Sequence, residues 1–137
     1  MRVRAGVVFA CFIAAVAGGV ATRSWSSPAV KPQLGHMVFF KLKDRTDANR
    51  QKLAAACHKH LSGHDGTVYF SVGTIAEDVV EPTVSVRDFD VALHLVFASK
   101  EDEAGYIKHP RHLKFIEENK DLWASARVFD SYIVPEK

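Results

Sequence analysis

The chain has 137 residues, 47% of them hydrophobic and 25% charged, with a formal net charge of +2. This is enough for one domain with a modest core. Acidic and basic residues are interspersed without a basic stripe, so nucleic acid is excluded as the expected partner.

Met1–Arg4 is a short basic start, and Ala5–Ala21 follows without a charge. A basic n-region ahead of an apolar h-region predicts a secretory signal peptide over residues 1–22 and an exported protein, periplasmic or extracellular. The run is at the lower limit for spanning a bilayer, so an uncleaved N-terminal membrane anchor is the alternative. Residues 23–35, with Ser24, Ser26, Ser27, Pro28 and Pro32, read as a linker. Of the two cysteines, Cys11 lies in the apolar run and would leave with it. Cys57 then has no partner and reads as a small buried residue of a helix.

His36–Lys43 alternates His36, Val38, Phe40 and Leu42 against Met37, Phe39, Lys41 and Lys43, the period of a strand. A polar turn follows, and Thr46 or Asp47 caps a helix that runs to about Ser62. Leu53, Cys57 and Leu61 form its apolar stripe, and Gly63 ends it. The histidines of His58-x-His60-x-x-x-His64 read as the solvent side of this helix. Thr67–Gly73 is a second strand, and Thr74–Asp88 a broken acidic connection. Phe89–Phe97 is a third strand with the apolar run of a central position. Ser99 caps a second helix, which reaches Lys108 before Pro110 interrupts it. A further helix over Arg111–Leu122 and a last strand over Ala126–Val134 complete the chain.

The order β-α-β-β-α-β, with the second helical unit broken at Pro110, predicts an α+β, ferredoxin-like subunit. Four antiparallel strands carry helices on one face. Phe39, Ala92, Val96 and Phe129 fall on the other face, and His94 alternates with them. No spare helix remains to cover that face, so a second copy packed sheet to sheet, a homodimer, is expected.

His36–Lys43, Phe89–Phe97, Tyr106-x-x-His-Pro-x-His112 and Val128-Phe-Asp130, in this order and spacing, resemble the stress-responsive α/β-barrel (Dabb) domain family. The resemblance covers residues 36–134. It implies a ferredoxin-like subunit whose dimer closes two sheets into an α/β barrel, in a family where most members have no established activity. A more distant resemblance is to plant polyketide cyclases of the olivetolic acid cyclase type, which close a linear thioester by aldol condensation. The Tyr and His that work there fall here on Tyr106 and His112, and the first-strand histidine and a later tryptophan on His36 and Trp123. The cyclase's third-strand histidine is replaced here by Val91.

The candidate catalytic pair is therefore Tyr106 and His112. A neutral imidazole would take a proton from a carbon next to a carbonyl, and the phenol would donate to the carbonyl oxygen as charge develops. The expected pocket lining is His36, Val38, Phe40, Val91, Leu93 and Trp123. No cofactor is expected. No metal is expected either, because Pro110 disrupts the geometry of His109-x-x-His112 and no further cluster completes a site. His109 reads as the end cap of the second helix, His94 as an interface residue and Asp130 as a structural acceptor. Three functional readings stand: a barrel that binds a small apolar ligand, a lyase or cyclase acting on a carbonyl substrate, and a dimerisation module with a filled core.

Overall fold

The alternation along the first strand decides which side of the sheet the helices cover. In the computed structural model, which describes residues 31–135, β1 (Leu34–Leu42) buries His36, Val38, Phe40 and Leu42 beneath the helices and turns Met37, Phe39 and Lys41 the other way. The predicted signal peptide or membrane anchor, and most of the predicted linker, lie outside the described residues. Among the described residues no helix is long and apolar enough to cross a membrane.

The remaining elements are α1 (Asp47–Leu61), β2 (Thr67–Thr74), β3 (Val91–Phe97), α2 (Lys100–Lys108), α3 (Pro110–Asn119) and β4 (Trp123–Tyr132). The strands lie in the order β2-β3-β1-β4, and every neighbouring pair is antiparallel. This is the expected ferredoxin-like arrangement, with β1 and β3 central. The two central strands supply most of the core: Val91, Leu93, Leu95 and Phe97 of β3 join the inward residues of β1 against Leu53, Cys57 and Leu61 of α1.

Thr46 caps α1 by accepting from the Asn49 amide, and Gly63, at φ +63°, turns the chain out of the helix in the left-handed region that glycine favours. His60 and His64 depart from expectation. Both are buried. His60 Nε2 lies 3.0 Å from Glu118 Oε2, and His64 Nε2 donates to the His60 carbonyl at 2.9 Å. Arg111 donates to the carbonyls of His60 and Ser62, so α3 closes the C-terminal end of α1 over His60, while the His64 ring packs against Tyr106 and His109.

Three boundaries also shift. Strand β3 starts at Val91, because Asp90 turns its carboxylate inward to accept from the Leu42 amide at 2.9 Å. Helix α3 ends at Asn119, whose side chain donates back to the Phe115 carbonyl at 2.9 Å. Trp123 opens β4, three residues before the expected Ala126. It pairs with Leu42 across a bulge, and its ring lies 5.1 Å from Phe40 and 5.7 Å from Phe115.

The sheet face away from the helices is apolar and open. Phe39 packs edge-on against Phe89, His94 and Phe129, while Phe129 is 53% exposed and Met37 37%. His94 lies on this face, as its alternation requires, with Nδ1 3.4 Å from Ser71 Oγ.

Candidate functional site

Two caps place the tyrosine and the second histidine. Ser99 Oγ accepts from the Asp102 amide and donates to the Asp102 carboxylate at 2.6 Å, which fixes the first turn of α2 and turns Tyr106 inward. His109 then serves two helices. Its backbone N–H donates to the Tyr106 carbonyl, ending α2, and its Nδ1 accepts from the Arg111 amide, starting α3 with Pro110 in the first turn. His112 is thereby brought back over Tyr106, with ring centroids 4.6 Å apart.

A cavity of about 220 Å³ lies between the sheet and these helices. His36, Val38, Phe40, Leu93, Trp123 and Val128 line it from the sheet, and Tyr106, Ile107, His112, Phe115 and Ile116 from the helices. Its open side lies between α3 and β4, where Ile116 is 39% and Val128 50% exposed. The core is not filled here, contrary to the dimerisation-module expectation, because Ala126 and Val128 are the inward residues of an edge strand that the helices leave exposed. A second, polar hollow of about 390 Å³ lies on the other side of Tyr106, walled by His64, Asp102, His109 and Arg111. It is larger, but His112 and the inward face of β1 belong to the apolar cavity.

Val91 does not line the cavity. It is fully buried, sits beside Phe40 and Thr74 in the sheet, and belongs to the core with Leu53 and Cys57 of α1. The absence of a histidine there therefore leaves this cavity's walls unchanged. The expected lining also lacked Leu61, Ile107, Phe115, Ile116, Ala126 and Val128. Val128 needed the β1–β4 register, which places it opposite Val38.

The electrostatics suit two neutral groups. The His112 imidazole is held below its ordinary range by burial first; the Ile107 carbonyl opposes this, and His36 and His64 add to it. Its Nδ1 lies 3.0 Å from that carbonyl, which can only accept, so Nδ1 carries the proton and Nε2 keeps a free lone pair. Burial, followed by Cys57 and Glu103, raises the Tyr106 phenol, which therefore stays protonated and a donor at neutral pH. Tyr106 as a residue is only 3% exposed, but its hydroxyl is not sealed in: the fully buried side-chain oxygen without a partner among the described residues is Thr67 Oγ1. Cys57 beside Tyr106 is fully buried and its thiol is pushed up to about 12, so it is no nucleophile.

His36 stands across the cavity, its ring 5.9 Å from that of Tyr106. Its Nδ1 donates to Asp130 Oδ1 at 2.7 Å, which gives Asp130 its role as acceptor. His109 and His112 each engage Nδ1 locally, with the Arg111 amide and the Ile107 carbonyl.

A crystal structure of a Dabb family protein with a ferredoxin-like fold from Mesorhizobium loti is 20% identical. The match covers 78% of this chain and all (100%) of that one, with a TM-score of 0.62. A hydroxynitrile lyase from Passiflora edulis is 19% identical over 77% of this chain and 97% of its own, with a TM-score of 0.61. A dimeric ferredoxin-like protein of unknown function from Thermobifida fusca is 13% identical over 75% and 92%, also with a TM-score of 0.61. At these identities the likeness is one of fold. No curated protein matches the chain in sequence. The sequence profile of the stress responsive A/B barrel domain, in contrast, matches residues 34–133, and the chain belongs to that family, Dabb.

Proposed function

We propose that this chain is an exported, homodimeric barrel that binds a small, largely apolar molecule between its sheet and helices α2 and α3. The cavity of about 220 Å³ carries the reading, since its walls are apolar except for His36, Tyr106 and His112. The volume falls below the roughly 300 Å³ at which drug-sized sites begin, so the ligand is correspondingly small. A second copy on the apolar face of Met37, Phe39 and Phe129 accounts for the homodimer, and the dimeric neighbour from Thermobifida fusca supports it. Export rests on the charge-free run Ala5–Ala21 behind Arg2 and Arg4, and membrane attachment would require that this segment stays uncleaved.

Native mass spectrometry of the protein purified from its own host tests the binding. A retained adduct is expected, and it should disappear when Val128→Trp fills the mouth of the cavity. An adduct untouched by that substitution would place the ligand elsewhere. Light scattering on the mature domain should give twice the chain mass, and a monomer would overturn the dimer.

The approach of Tyr106 and His112 to a ring separation of 4.6 Å favours one further reading, a lyase or cyclase acting on a carbonyl substrate. His112 Nε2 would take the proton from the carbon next to the carbonyl. The Tyr106 hydroxyl would donate to the carbonyl oxygen as negative charge moves onto it, and the imidazolium would return the proton to the product. The neighbour from Passiflora edulis supports this to the extent that the same fold carries a lyase. Turnover of a carbonyl ligand recovered from the cavity, abolished in His112→Gln, is the expected result. Equal turnover in that variant would remove His112 from the chemistry.

A further inference from the structure

We propose that His36, Glu103 and Asp130 form a binding site for one divalent transition-metal ion at the rim of the cavity. The three side chains come from β1, α2 and β4, and one ligand atom of each lies within 4.8 Å of the other two. His36 Nδ1 is 2.7 Å from Asp130 Oδ1 and 4.0 Å from Glu103 Oε1. Ligand atoms held about 2.0–2.2 Å from a first-row ion stand roughly 3.0–4.2 Å from one another. Displacements of a few tenths of an ångström would therefore admit an ion in place of the Nδ1 proton.

The charges point the same way. Two carboxylates converge on one imidazole nitrogen, and among the described residues neither forms an ion pair with a lysine or arginine. The fully buried carboxylate just before β3, Asp90, has in contrast two guanidinium partners. The His36 side chain is only 5% exposed and is held in place by the Phe97 and Tyr106 rings. The Asp130 side chain is 50% exposed and leaves a path in from solvent. One imidazole nitrogen and two carboxylate oxygens suit ions from Mn²⁺ to Zn²⁺ better than thiophilic ions. Three protein ligands leave coordination positions for water or for a ligand oxygen. The site does not depend on what fills the cavity, and it can exist whether or not the chain is an enzyme.

The test uses the full chain, stripped with chelator and titrated separately with MnCl₂ and ZnCl₂ by calorimetry. At least one of the two ions is expected to bind at one per chain. Glu103→Gln and Asp130→Asn should each weaken that binding by about tenfold or more, with the far-UV circular dichroism of both variants matching the parent. Both carboxylates are partly exposed, at 20% and 50%, so neither substitution should unfold the chain. Absence of stoichiometric binding by both ions overturns the site, as does parental affinity in either variant. Electron spin echo modulation from a histidine nitrogen on bound Mn²⁺ is also expected, and its absence would remove His36.

Discussion

Strand β1 meets a buried polar group near each end, and the two are built on opposite rules. Near Leu42 the Asp90 carboxylate is fully enclosed and accepts from the Leu42 amide, from Arg45 Nε at 3.0 Å and from Arg50 Nε at 3.2 Å. Burial pushes its pKa up, but the amide and the two guanidinium groups outweigh this and hold the carboxyl below its usual range. Near His36 the polar groups that face the cavity keep capacity to spare: half-buried His112 has engaged one nitrogen of two, and the Tyr106 hydroxyl is not sealed in the core. A buried group whose hydrogen bonds are all made inside the protein stabilises the fold. One that borders a cavity with bonds unmade is available to a ligand.

Asp90→Ala should give the largest effect. Removing the shared acceptor leaves the buried Leu42 amide without its side-chain partner, while Arg50 keeps Asp47 and Glu77, and should cost about 2–3 kcal/mol in urea unfolding. A loss below about 1 kcal/mol, the range of exposed pairs, would show that Asp90 is no anchor. Gly66→Ala comes next, because it strikes the support of α2 at the His36 end of the sheet. Gly66 has φ +75°, and an added Cβ would overlap the Asp102 side chain at the start of α2. About 2 kcal/mol of destabilisation is expected from the left-handed backbone and the overlap together, and displacement of α2 should also weaken ligand retention. Tyr106→Phe reverses the pattern. The expected stability change is under about 0.5 kcal/mol, because no intramolecular hydrogen bond is lost, while affinity for a ligand recovered from the cavity should fall by about 0.5–1.5 kcal/mol. A Tyr106→Phe variant that unfolds more easily but binds equally well would collapse the distinction.

The sheet, the helices and their order were legible because each rests on local pattern: alternation in β1, the Leu53–Cys57–Leu61 stripe, the Ser99 cap, and Pro110 in the first turn of α3. Tyr106 and His112 were legible as a pair for the same reason, since six positions of one local motif join them. What failed to read was set by contacts between distant residues. His60 and His64 look like solvent-facing helix until α3 closes over His60, and Tyr106 and His109 pack against His64. Val91 looks like a pocket residue until α1 is laid across it. The arginine pair on Asp90 joins positions 45, 50 and 90, and the cluster at His36 joins 36, 103 and 130; no spacing rule connects either set. The third helix shows the intermediate case: its existence was legible over Arg111–Leu122, but the point where helix gives way to strand was set by the Leu42–Trp123 pairing.

The smallest effect sharpens the comparison through pH. Asp90 carries its charge in the folded state, so its contribution is complete above the ordinary carboxylate range and is lost only as pH falls toward and through a depressed folded pKa. His112 is buried neutral, and its folded pKa lies below the value of about 6.5 that it has in the unfolded chain. Below about pH 6.5 the unfolded chain therefore binds a proton that the folded chain refuses, and stability falls until the folded pKa is passed. Glutamine in place of His112 can keep the hydrogen bond to the Ile107 carbonyl but cannot titrate. The stability difference between parent and His112→Gln should therefore be flat from about pH 8 to 7 and move against the parent from about pH 6.5 downward. Thermal unfolding of both proteins across this range measures it. A difference that stays constant down to pH 5 would mean that His112 takes up its proton as readily folded as unfolded, and this end of β1 would then offer a cation where a free base is required.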